Sequence, residues 1–199
     1  MIISEAPLFT QIWTRNERTI AASLAQKSTD EKKQYLSLTN CHPTSRYRPL
    51  QGIFETNALP CGENMPGFGA VATEAGIFLQ CSRFNSSCTP NVHNFWKEED
   101  GVIVMRAMTR IARGEELCLC YAKEWHPRSV RQAAFRDRFG FTCTCACCSL
   151  DVEASASSDR RRTQLGVLYH EIGNCASDPV LGVQKVCRIH LFVLQSIFY

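Results

Sequence analysis

The amino-acid sequence predicts an α+β fold in which helices bracket a block of short strands. Three observations carry this expectation. Apolar residues recur at helical spacing over residues 14–39 and again over 165–172, whereas between 52 and 121 the chain breaks into short β-branched runs punctuated by glycine. Helix-start signals of the S/T-x-x-E/Q type fall at Thr14, Ser28 and Ser129, outside that block. Inside it, two alternating runs flank Glu98-Glu99-Asp100-Gly101, an Asp-Gly hairpin signal.

Taken in chain order, residues 1–9 read as a strand rich in β-branched residues. Residues 14–39 read as two helices. Thr14 with Glu17 and Ser28 with Glu31 form capping boxes, Ile20, Ala21 and Leu24 stripe the first helix, and Tyr35, Leu36 and Leu38 serve the second. Residues 41–49 are a polar, proline-rich loop. Strands are expected at 53–56, 70–73, 77–81, 92–97, 102–107 and 116–121, the last placing Leu117, Leu119 and Tyr121 on one face and Cys118 and Cys120 on the other. Ser129 with Gln132 opens a further helix, and Gly140 suits its left-handed C-terminus. Arg128, Arg131, Arg136 and Arg138 spread around that helix and read as a solvated face. Residues 151–159 (DVEASASSD) read as a polar linker. Leu165, Leu168, Tyr169 and Ile172 then mark a final helix that Gly173-Asn174 ends.

Bulk composition narrows the function classes. Hydrophobic residues make up 45% of the 199 and charged residues 21%, which is ordinary for a folded domain. A net charge of +3 is too mild to point to nucleic acid, so no direct nucleic-acid binding is expected. No stretch reaches the roughly 20 apolar residues of a membrane span, and no membrane partner is expected. Arg160-Arg161-Arg162 is a short basic run of the kind a nuclear signal uses.

Twelve cysteines are many for this length. With no basic region and apolar stretch opening the chain, a reducing compartment is expected, and clustered cysteines there point to metal rather than disulfides. Cys143, Cys145, Cys147 and Cys148 crowd into six positions, and Cys143, Cys145 and Cys148 satisfy C-x-C-x-x-C. Zinc takes four soft ligands in a tetrahedron, so three from this turn require a fourth from elsewhere. Cys147 is the spare and an alternative to Cys148; buried or oxidised thiols are the plainer reading of the same run.

Two further segments place the chain beside a known family. Residues 83–91 read RFNSSCTPN, residues 113–121 read RGEELCLCY, and FTCTCACC follows at 141–148. The first resembles the R-F-x-N-H-S-C-x-P-N signature of SET domains, the second their G-E-E-L-x-x-x-Y signature, and the third the post-SET F-x-C-x-C-x-x-C. The order matches the family, and the helical insert most resembles the SMYD-like and fungal SET branches. The resemblance implies a β-clip of small curved sheets whose two signature segments pass each other in a knot-like crossing. It implies a protein-lysine methyltransferase that takes its methyl group from S-adenosylmethionine and accepts a histone tail or other lysine-bearing protein, in the nucleus, the cytoplasm or both.

The same resemblance assigns roles. Tyr121 is the catalytic tyrosine; Asn85, Ser86 and Phe141 contact the cofactor; Cys88 joins Cys143, Cys145 and Cys148 around a structural Zn2+. Read without the family, Tyr121 is a strand tyrosine, Asn85 a turn cap, Cys88 a core thiol and Phe141 a buried aromatic. Ser86 stands where the signature has histidine, keeping the backbone contact and losing the imidazole. The family's opening G-x-G loop has no counterpart before Ile2, Ile3, Ser4 and Glu5, which look like the strand just after it, so an N-terminally shortened SET domain is expected; Gly67-Phe68-Gly69 matches by letter only. The expected division is a SET domain over 1–140 with a helical insert at about 14–50, a post-SET zinc segment over 141–150, and a linker with C-terminal helices over 151–199. A catalytically weak SET module that binds a protein partner is the alternative.

Overall fold

The computed structural model describes residues 2–11, 16–64 and 72–173. Thr14, the Gly67–Gly69 triplet, positions 70 and 71 of one expected strand, Asn174 and the tail from 175 to 199 lie outside the described residues. Three small sheets and five helices make up the rest, an α+β arrangement as expected.

Strands β1 (Ile2–Glu5) and β2 (Phe9–Gln11) come from the N-terminal run, which splits at Pro7 and feeds two different sheets. Helices α1 (Glu17–Ala25) and α2 (Thr29–Leu36) follow. The Ser28–Glu31 capping box forms as expected, whereas α1 starts on Asn16, which pairs reciprocally with Thr19. Glu17 is therefore free to reach another helix. Its carboxylate accepts the backbone N–H groups of Leu50 and Gln51, capping α3 (Pro49–Asn57) from outside. This corrects the strand expected at 53–56. Ile53 and Thr56 are β-branched, but Leu50, Ile53, Phe54 and Asn57 fall at helical spacing, and Pro49 at the first position with the Glu17 cap settles the helix.

Strands β3 (Leu59–Asn64) and β4 (Ala72–Ile77) pair antiparallel, with β2 on the other edge of β4. The run at 77–81 is not a strand beyond Ile77; it turns into a short 3₁₀ helix, Cys81–Arg83, whose start is held by the Glu5 carboxylate. Strand β5 (Asn85–Ser86) comes next. Strands β6 (Val92–Lys97) and β7 (Val102–Ala107) form the expected hairpin, closed by Gly101 at φ 62°, and β1 completes their sheet. Strand β8 (Cys118–Leu119) is only two residues long and pairs with β5 in parallel.

Helix α4 (Arg128–Phe139) begins directly after Pro127, not on the expected Ser129–Gln132 box, and closes on Gly140 at φ 71°. Helix α5 (Val152–Gly173) absorbs the stretch expected to be a linker. The Asp151 carboxylate accepts the Ala154 N–H, and Ser155 is buried, so a small polar sequence serves as a helix start rather than a tether.

One core lies between the N-terminal helices and β2, around Ile20, Tyr35 and Phe54. The Tyr35 hydroxyl satisfies itself on the Leu50 carbonyl at 2.7 Å. A second core, around Phe78, Ile103 and Met105, sits under the β1–β7–β6 sheet.

Candidate functional site

The two signature segments lie side by side. In the β5–β8 pair Asn85 faces Cys118 and Ser86 faces Leu119, and Ser87 donates its N–H to the Leu119 carbonyl at 2.8 Å. Asn91 staples them further along. Its amide group donates to the Glu115 carboxylate and the Glu116 carbonyl, and its oxygen accepts the Cys118 N–H. The Ala112 N–H, and then the Asn91 amide, hold Glu115 below the usual carboxylate range.

This pairing fixes Tyr121. Its backbone N–H donates to the Ser86 hydroxyl at 3.1 Å, its ring packs 4.8 Å from that of Phe139, and its own hydroxyl donates to the Phe84 carbonyl. Burial, then the neighbouring Cys118, Cys41 and Glu116, push its phenol up to about 12, so the hydroxyl stays protonated and donates.

Two cavities meet at this tyrosine. One, of about 680 Å³, is lined by Asn85, Ser86, Glu116, Cys118, Phe141 and Cys145 among others. The second, of about 260 Å³, runs between Phe84, Asn94, Leu119 and Cys120. Tyr121, Ser82, Thr56, Asn57 and Phe139 line both. In the larger one Asn85 donates to the Glu116 carboxylate at 2.6 Å. Asn57, from the helical insert, is buried with its amide group spent on the Thr39 and Ile53 carbonyls.

The cysteine cluster forms the adjoining wall. The sulfurs of Cys88, Cys143, Cys145 and Cys148 all lie within 4.8 Å of one another, with Cys88 and Cys148 at 3.5 Å. Four thiolates about 2.3 Å from a zinc ion sit about 3.8 Å apart, so the donor set fits a tetrahedral Zn2+. Helix α4 builds the surround. Gln132 brackets the Cys143 backbone, donating to its carbonyl at 2.7 Å and accepting its N–H at 3.0 Å, and Phe135 stacks on Phe141 at 5.0 Å. Burial pushes the Cys88 and Cys143 thiols up. At Cys145 burial is outweighed by the N–H groups and thiols of its neighbours, which draw it down. Removing charged sulfurs from water in this way is costly without a cation to share them.

The family profile for the SET domain matches residues 8–122. The chain belongs to the SET-domain family. The SET match covers Asn85, Ser86, Cys88 and Tyr121 and ends before Phe141 and the other three cysteines. Among curated relatives, a histone-lysine N-methyltransferase, set5, of Schizosaccharomyces pombe is 32% identical over 99% of this chain and 59% of its own length. The chain thus spans about three fifths of that relative. Two Arabidopsis thaliana histone-lysine N-methyltransferases match over shorter stretches. ATXR2 is 42% identical over 31% of this chain and 13% of itself; ATXR4 is 28% identical over 42% and 27%.

The structure thus gathers every residue singled out from the motifs into one neighbourhood of the SET domain and its flank. Three expectations about nearby residues need correction. Arg131 is fully buried rather than solvated, whereas Arg136 and Arg138 are exposed. Cys118 lines the same cavity as Tyr121, because a two-residue strand does not carry alternation as far as 121. Arg162, from the basic run, is folded inward onto Cys147 and the Cys88 carbonyl. Glu116, Asn57 and Gln132 were not anticipated. Glu116 was signalled by its place in G-E-E-L; the other two depend on long-range packing that spacing does not show.

Proposed function

We propose that this chain is a protein-lysine methyltransferase that transfers a methyl group from S-adenosylmethionine to a lysine side chain, a histone tail being the substrate its relatives' names point to. The observation that carries the reading is the meeting of two unequal cavities at one protonated tyrosine. When bound, the cofactor supplies an electrophilic methyl on a sulfonium centre. Asn85, Glu116, Ser86 and Phe141 offer the larger cavity an amide, a carboxylate, backbone polar groups and an aromatic face. These suit a zwitterionic amino acid joined to adenine.

The smaller cavity suits an extended aliphatic chain. Phe84, Leu119 and Phe139 remove water around a lysine there, which lowers the ammonium pKa and frees the amine lone pair. The Tyr121 hydroxyl and the Phe84 carbonyl present oxygens at the junction, where weak C–H···O contacts hold a polarised methyl in line. Alignment of amine, methyl and sulfur is the main demand of the reaction, and proximity supplies much of the rate.

Cys88, Cys143, Cys145 and Cys148 are assigned to a structural Zn2+ that ties the segment after α4 to the β5 signature. We assign residues 1–140 to the SET unit, 141–150 to the zinc segment and α5 to a brace beyond it. No helix of the described residues is long and apolar enough to cross a membrane, and action on histones would place the protein in the nucleus.

The test is methylation of histone peptides, read by mass spectrometry, with calorimetry of S-adenosylmethionine binding alongside. Wild-type protein is expected to bind the cofactor and methylate; Tyr121→Phe is expected to bind it and fail to methylate. Absence of cofactor binding at millimolar concentration would instead favour the non-catalytic, partner-binding module, a reading that Ser86 in place of the signature histidine supports.

A further inference from the structure

Arg131 sits in the first turn of α4 and is fully buried. A guanidinium keeps its charge at any pH that proteins survive, so burial demands anionic company. Its carboxylate neighbour, Asp159, stands 4.0 Å away and already accepts the Arg128 N–H at 2.7 Å. Its Nη1 also donates to the His126 carbonyl, which carries no charge. The remaining partners are sulfurs. Nε donates to Cys88 Sγ at 3.1 Å, and Nη2 points at Cys147 Sγ at 3.5 Å and Cys148 Sγ at 4.0 Å.

A second guanidinium arrives from α5. Arg162 Nη2 donates to Cys147 Sγ at 3.2 Å and to the Cys88 carbonyl at 3.1 Å, and Nη1 donates to the Glu124 carbonyl. Neutral thiols are weak acceptors and do little to offset two cations. A divalent ion held by four thiolates, by contrast, carries a net charge of about −2.

We propose that Arg131 and Arg162 are the charge partners of the four-cysteine metal site. The two guanidiniums offset the dianionic zinc–thiolate centre, and through Arg162 and Asp159 they fasten α5 to it. This rests on the zinc reading above. It also gives Cys147 a place: its sulfur is the shared acceptor between the two arginines rather than a spare ligand. Metal retention and the docking of α5 are then one event.

The experiment begins with the zinc content of the purified wild-type protein, then measures zinc retention against a chromophoric chelator in wild type, Arg131→Met, Arg131→Lys and Arg162→Met. Loss of groups that hydrogen-bond metal ligands costs about 10–100-fold in affinity, and Arg131→Met is expected to retain zinc at least about tenfold more weakly. Arg162→Met should show a smaller loss. Arg131→Lys should fall between Arg131→Met and wild type, since it keeps the charge and loses the fork. After Co2+ substitution, the thiolate-to-cobalt charge-transfer band should move to lower energy in both methionine variants, a change that a packing role alone does not produce. Should Arg131→Met fail to fold, Arg162→Met decides, because that side chain is only half-buried. A wild-type protein without zinc would remove the metal reading itself. A zinc-bearing wild type whose methionine variants hold zinc equally, with an unmoved band, would overturn the arginine assignment.

Discussion

Ser86 replaces an imidazole with a short hydroxyl, and that hydroxyl takes the Tyr121 N–H. The residue therefore positions the tyrosine as well as lining the cavity. Removing one such bond forfeits about 1 kcal/mol, so Ser86→Ala should lower the methyl-transfer rate roughly three- to tenfold in a steady-state assay while far-ultraviolet dichroism is unchanged. Asn91 makes three bonds between the signature segments, and Asn91→Ala should cost about 2–3 kcal/mol in urea unfolding. Tyr121 has a simple pH consequence. Its phenol is raised above the unfolded value of about 10, so the stabilisation of its neutral form is complete below that value. It is lost as pH rises through about 12. At this scale the clustering of the cysteines was legible, because closely spaced thiols are what a tetrahedral zinc site would need. Arg131 was not: by spacing it is indistinguishable from Arg128, Arg136 and Arg138, and only the packing of α4 on the cluster separates them.

Elements that the sequence shows poorly are those whose support comes from far along the chain. Helix α3 takes its cap from Glu17, and α5 starts in a stretch with no apolar stripe yet grips α4 through Asp159. The β6–β7 hairpin, whose turn and alternation are local, is where the sequence places it. Gly166 tests how α5 is held. In an isolated helix glycine to alanine gains about 1 kcal/mol. Here a methyl group would stand 2.8 Å from the Trp125 ring, which stacks on Tyr169 at 4.6 Å. Gly166→Ala should therefore lower stability and speed hydrogen exchange in α5, opposite in sign to the intrinsic preference. The Glu115 turn gives a pH test. Its carboxyl is depressed, so its contribution is present above the ordinary value of about 4.3 and fades as pH falls through the lowered one. Glu115→Gln should flatten the acid side of the stability profile, followed as urea midpoint against pH.

Across the molecule, the cysteine cluster, the larger cavity and the tyrosine share walls. Cys143 and Cys145 line the larger cavity, and Phe141, Phe139 and Tyr121 pack against the buried cysteines. Chelation of zinc should thus loosen the cavity before it unfolds the N-terminal core, seen as loss of cofactor binding while protection from hydrogen exchange around Tyr35 and Phe54 persists. The family was legible from three short motifs because they are the points where chemistry limits residue choice. The helical insert and α5 were less so, since their side chains answer to packing. The most direct test is mass spectrometry of a histone peptide incubated with S-adenosylmethionine and zinc-loaded protein. The account predicts methyl-lysine with wild type and none with Tyr121→Phe at undiminished cofactor binding. Equal methylation by Tyr121→Phe, or none by a wild-type protein that binds the cofactor, would contradict it.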